Sequence, residues 1–196
     1  MDKTDFRAYI NTKTHINDRE WQLIDKLFKP LEVKKNDYLL IEGTICNHAY
    51  FLSEGLIRFF YWTDDGEDIT KHLTFPKQYF TSSESFGPRQ PSTENIQIIE
   101  DALVYQIHYD TLQEIYANVP SWSIFVRKIV QEVQADVEAR MRSLITESAE
   151  DRYLKLIAKY PDYAPQIPLQ YMATYLGMKP QSLSRVRKKL ADQRRS

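Results

Sequence analysis

The 196-residue sequence contains one cysteine, Cys46, which excludes an intramolecular disulfide, a Cys-based zinc site and a Cys-ligated iron–sulfur cluster. Its four histidines stand alone, at spacings of 33, 24 and 36 residues. A metal-dependent enzyme on a small β-roll needs a His-x-His pair, then a Glu and a later His, and that set is missing. No Gly-rich phosphate loop and no Ser/His/Asp signature occurs, and there are only five glycines in all. No uncharged apolar run approaches the roughly 18 residues of a membrane span, and MDKTDFRAYINTKTH holds no apolar signal core. A soluble, cytoplasmic protein without resident metal or cofactor is expected.

Net charge is also nearly absent, at −1. That sum hides an asymmetry: residues 1–139 carry a net −8 and residues 140–196 a net +7. A basic end of this kind points to nucleic acid or an anionic surface. With 42% apolar and 13% aromatic residues, the chain can bury a real core.

The apolar spacing divides the chain. Trp21, Ile24, Leu27 and Phe28 mark one face of a short helix, with Asn17 and Glu20 placed as a capping box. Residues 31–107 read as short strands (38–41, 49–52, 56–62, 69–75, 96–99, 103–107) separated by turn signals, of which Asp64-Asp65-Gly66 predicts a type I′ hairpin. Many short strands of this spacing predict a sandwich or barrel. Residues 81–95 are polar and broken by Pro88 and Pro91, either a surface loop or the rim of a site. A helix over 110–118 is followed by one over 121–144. There Val126, Ile129, Val130, Val133, Val137, Met141 and Leu144 form one stripe, packed on the chain's own barrel or on a twin helix. A Ser148-x-x-Asp151 cap opens another helix.

The most informative segment is IPLQYMATYLGMKPQSLSRVRKKL, residues 167–190. It reads as two short helices around Gly177. Ala173 is small where they cross, Met172, Leu176, Met178, Leu183 and Val186 supply the contact, and Pro180 suits a helix start. This is the pattern of a helix-turn-helix. The second helix presents Lys179, Gln181, Ser182, Arg185, Arg187, Lys188 and Lys189, with Arg194 and Arg195 beyond. Gln181, Ser182 and Arg185 are placed to meet base edges in the major groove, where Arg pairs with guanine and Gln with adenine. Lys188 and Lys189 suit phosphates. Double-stranded DNA is the expected partner; a solvated basic face, or a basic module for RNA or an acidic protein, competes with it.

From about Ile24 to Leu190 the chain resembles the Crp/Fnr family of bacterial transcription regulators, most specifically in YLGMKPQSLSRVRKKL. The resemblance implies an α+β fold: an N-terminal jelly-roll (double-stranded β-helix) sensor domain over 1–120, a dimerisation helix over 121–146 and a winged helix-turn-helix over 147–196. It implies a homodimer through helix 121–144 on a palindromic site, with RNA polymerase a further partner. Arg185 matches the family's base-contacting arginine and Gln170 a phosphate-contacting position. Gln181 replaces a frequent glutamate, and Pro180 an arginine of some members. Cyclic-nucleotide-responsive members hold the ribose with a Gly-Glu pair and the cyclic phosphate with an Arg-Ser pair. The gap-free equivalents here are Thr81-Ser82 and Ser92-Thr93, so an effector pocket rimmed by Ser82, Ser92 and Thr93 is expected to lack carboxylate and arginine and to reject cAMP. Recruitment of Arg89 would require a register shift. Cys46 reads as an inert buried thiol rather than a redox sensor.

Overall fold

The computed structural model describes residues 3–193; Arg194 and Arg195 lie outside them. Two helices come first. α1 (Thr4–Lys13), unassigned from sequence, buries Phe6 and Ile10 four residues apart on one face. Its Phe6 ring stacks on Phe51 at 4.4 Å. α2 (Asp18–Leu27) opens with the expected capping box: Asn17 Oδ1 accepts from the Glu20 amide, and Glu20 Oε2 from the Asn17 amide.

Six strands then form one antiparallel sheet: β1 (Lys29–Val33), β2 (Tyr38–Leu40), β3 (His48–Trp62), β4 (Asp68–Thr74), β5 (Gln78–Phe80) and β6 (Asn95–His108). β3 and β6 are long, and each joins two expected strands into one. The Ser53-Glu54-Gly55 signal is therefore a bend inside β3, not a turn between strands. Register against β6 shifts three times between Leu52 and Ile57. Gly55 has φ +97°, and a Cβ there would lie 2.5 Å from Ala102 Cβ, so the strands approach too closely for any other residue. Before the bend β3 pairs with β5, and after it with β4, which curls the sheet into a jelly-roll-like body.

The β3–β4 hairpin forms where Asp64-Asp65-Gly66 stands, but with a different turn. Within that triplet only Gly66 has a positive φ, and its amide donates to Thr63 O at 2.9 Å. Type I′ needs positive φ at both central residues; here a type I turn precedes a left-handed glycine. Residues 81–94 include a one-turn helix, α3 (Ser83–Phe86).

α4 (Tyr109–Asn118) leads through Pro120, at a tolerated first-turn position, into α5 (Pro120–Thr146). The apolar stripe of α5 divides. Trp122, Phe125 and Ile129 enter the core formed by α1, α2 and the roll, whereas Val130, Val133, Val137 and Met141 are 46–59% exposed. The first half of the helix thus packs on the chain's own roll, as one of the two expected uses has it, and the second half leaves its apolar row uncovered.

α6 (Ala149–Lys159), capped by Ser148, α7 (Leu169–Tyr175) and α8 (Pro180–Gln193) complete the described chain. They share a second core with the roll, in which Leu56, Leu73, Phe75 and Ile99 meet Leu156, Ile167, Met172, Ala173, Leu176 and Leu183. Among the described residues no strand follows β6, so the wing expected of this region is not found in them. The α6–α7 connection holds Pro161, Pro165 and Pro168, which have no N–H for a ladder, and closes instead as a 3-10 turn over Ala164–Gln166.

Candidate nucleic-acid interface

α7 ends with the Leu176 amide donating to Met172 O. Gly177 (φ +67°) and Met178 then reverse the chain, with amides donating to Thr174 O and Ala173 O at 3.1 and 3.0 Å. α8 starts at Pro180, and Lys179 O accepts from Ser182 and Leu183. Ala173 and Leu183 are fully buried where the helices cross, as their sizes require. The polar residues of the segment then face out. Gln170, Lys179, Gln181, Arg185, Arg187 and Lys188 are exposed, and Ser182 is half-buried. Lys189 is also exposed, but its Nζ pairs with Glu150 Oε2 of α6 at 2.6 Å, which reduces its availability to a phosphate. Arg185 leans over Gln181 O at 3.4 Å, on the same face.

The helix pair is fastened to the roll by residues that the sequence did not mark. Arg58 of β3 is 2% exposed and donates to Asp68 Oδ2 at 2.8 Å and Gln97 Oε1 at 2.9 Å. Its guanidinium lies 4.0 Å from the Phe60 ring centre and 3.4 Å from that of Tyr171 on α7. The Thr70 amide of β4 donates to Thr174 Oγ1 at 3.1 Å. Two arginines reach the C-terminal carbonyls of the α7 segment, the favourable end for cations. Arg140 of α5 donates to Tyr175 O at 2.7 Å, and Arg152 of α6 to Leu176 O at 2.8 Å. These bonds run from side chain to distant backbone, so no local sequence pattern announces them.

The 81–94 segment corrects the expected pocket. Thr93 is exposed, but Ser82 and Ser92 are buried rather than forming a rim, because both are bonded to glutamates. Ser82 Oγ donates to Glu94 Oε1 at 2.7 Å, and Glu94 Oε2 pairs with Lys71 at 2.7 Å. Glu84 Oε1 accepts from the Thr93 amide and hydroxyl, each at 2.7 Å. Two carboxylates therefore stand where none was expected, Glu84 from α3 and Glu94 from just before β6, since gap-free counting misses which side chains the loop brings together. Arg89 turns away: it donates to Cys46 O and Asn47 Oδ1 and lies over the Tyr109 ring at 4.2 Å. Cys46 is 1% exposed, with Sγ against His48 O at 3.3 Å. No helix of the described residues is long and apolar enough to cross a membrane.

Residues 30–119 match the family model of the cyclic nucleotide-binding domain. No curated protein matches the chain by sequence. Among solved structures, FixK2 from Bradyrhizobium japonicum superposes with a TM-score of 0.73 at 16% identity, over 85% of each chain. The c-di-GMP responsive global regulator CLP of Xanthomonas campestris gives 0.71 at 12% identity, over 90% of this chain and 93% of that one. A protein assigned as a transcriptional regulator of the Crp/Fnr family from Eubacterium rectale gives 0.73 at 15% identity, over 95% and 88%. The chain thus matches the cyclic nucleotide-binding domain model over residues 30–119, and its overall fold is similar to those of FixK2, CLP and the Eubacterium rectale protein.

Proposed function

We propose that this protein is a sequence-specific DNA-binding transcription regulator that acts as a homodimer on a palindromic site. One observation carries the reading: α8 rests on a fully buried Ala173–Leu183 crossing and exposes Gln181, Arg185 and Lys188 from the basic end of the chain. That combination suits major-groove reading, whereas a merely solvated helix needs no such buried crossing. The uncovered row Val130, Val133, Val137 and Met141 supports pairing of α5 with its copy, since an apolar row of this kind asks for cover. The working division is a sensor over 1–120, a dimerisation helix over 121–146 and a reading unit over 147–196. We assign the sensor pocket no cyclic-AMP role, because its anion-facing donors are already held by Glu84 and Glu94.

The test is selection of bound duplexes from a random pool, with and without a metabolite panel. Two half-sites about one helical turn apart, with affinity falling steeply in salt, are expected. Equal affinity for random and palindromic duplexes would overturn the reading.

A further inference from the structure

Arg140 lies midway along the exposed part of α5, yet its guanidinium points inward. It donates to Lys71 O of β4 at 3.0 Å and to Tyr175 O, at the last residue of α7, at 2.7 Å. The same group lies 4.5 Å from the Tyr175 ring centre. One turn farther along α5, Leu144 packs on the bend itself: a Cβ on Gly177 would stand 2.6 Å from Leu144 Cδ2. Residues 140 and 144 share a helix face, so one side of α5 touches both the end of α7 and the turn into α8. A planar guanidinium can hold two carbonyls in a fixed relative position, which an ammonium cannot.

We propose that Arg140 is a positioning residue for DNA reading, bracing the α7–α8 turn against β4 and so setting the angle at which α8 meets the duplex. Both terminal nitrogens of its guanidinium are engaged by backbone carbonyls of the chain itself, which separates this role from phosphate contact. The inference rests on the DNA-binding reading above, and its test keeps the two apart.

The full-length protein and a duplex selected with it are used. R140Q is expected to lower affinity for that duplex about tenfold. The slope of affinity against salt stays unchanged, because no phosphate contact is lost. In the free protein, amide exchange at Gly177 and Met178 is expected to quicken. R140K, which keeps the charge but not the fork, is expected to fall between, and it carries the test if R140Q does not fold. Unchanged affinity in the variants overturns the role, and so does a reduced salt slope, which would make Arg140 a direct phosphate contact. A wild-type chain that binds no duplex overturns the DNA reading and the role with it, a case the wild-type control identifies before any variant is compared.

Discussion

The Glu84 carboxylate accepts hydrogen bonds from both the amide and the hydroxyl of Thr93, each at 2.7 Å, and closes the loop between β5 and β6 on itself. Burial raises the pKa of Glu84, but the bonds from Thr93 outweigh it and hold the group below the ordinary glutamate value. A depressed folded pKa contributes stability that is present above the unfolded value and is lost as pH falls through the folded one. Glu84→Ala is expected to cost about 1 kcal/mol at neutral pH in urea denaturation. The loop's own carboxylate would also repel a phosphate, so cyclic AMP is expected to produce no rise in the Tm of the wild-type protein. A saturable rise would sink that expectation.

Arg58 and Asp68 form an ion pair whose side chains are 2% and 9% exposed. Removing one partner strands a buried charge, so Arg58→Met is expected to destabilise by about 3–5 kcal/mol. Adding Asp68→Leu should recover a large part of that loss, measured as a double-mutant cycle in denaturant. Equal destabilisation by the single and double variants would contradict the pairing account.

His72 packs edge-on against Phe59 at 5.7 Å. Burial, then the nearby Arg140 charge, lowers its pKa to about 4. The unfolded chain therefore takes up this proton first as pH falls below the ordinary histidine value, and stability declines between that value and the folded pKa. The decline due to His72 is on the order of 3 kcal/mol. His72→Gln should flatten the pH dependence over this window by that amount. A wild-type proton uptake midpoint near 6.5, followed by NMR of the imidazole, would refute it.

Val137 is 50% exposed in the uncovered part of the α5 stripe. Val137→Glu is expected to leave the helical content unchanged and to convert the sedimenting species from dimer to monomer. Affinity for a palindromic duplex should fall, while affinity for a half-site is retained. Persistence of the dimer would place its interface elsewhere.

Arg185 and Lys188 differ in what they are expected to contact. Arg185→Ala should cost about 1–3 kcal/mol and relax preference at one base pair. Lys188→Ala should weaken all sequences alike and reduce the salt slope by about 1. Both are exposed, so thermal melting should be nearly unchanged. Identical behaviour of the two would contradict the placement of α8 in the groove.

Local patterns were legible wherever the physics is local. Asn17 and Glu20 form their box three residues apart, and Ala173, Gly177 and Leu183 lie within a few turns of one another. Longer strands were not legible, because Gly55 reads as a turn until its contact with Ala102 shows why β3 bends there without ending. In the 81–94 segment, counting residues could not reveal that Glu84 reaches back to Thr93. Lys189 likewise looked available until Glu150, 39 residues away, took its charge.

The division of charge, the strand-rich first part and the helix-turn-helix spacing followed from the sequence alone, since each depends on residue type and short periods. Tertiary structure decided which half of the α5 stripe stays uncovered, where Arg89 turns and which carbonyls Arg140 and Arg152 hold. Those outcomes depend on backbone groups, which are alike at every residue and acquire partners only when distant segments are brought together.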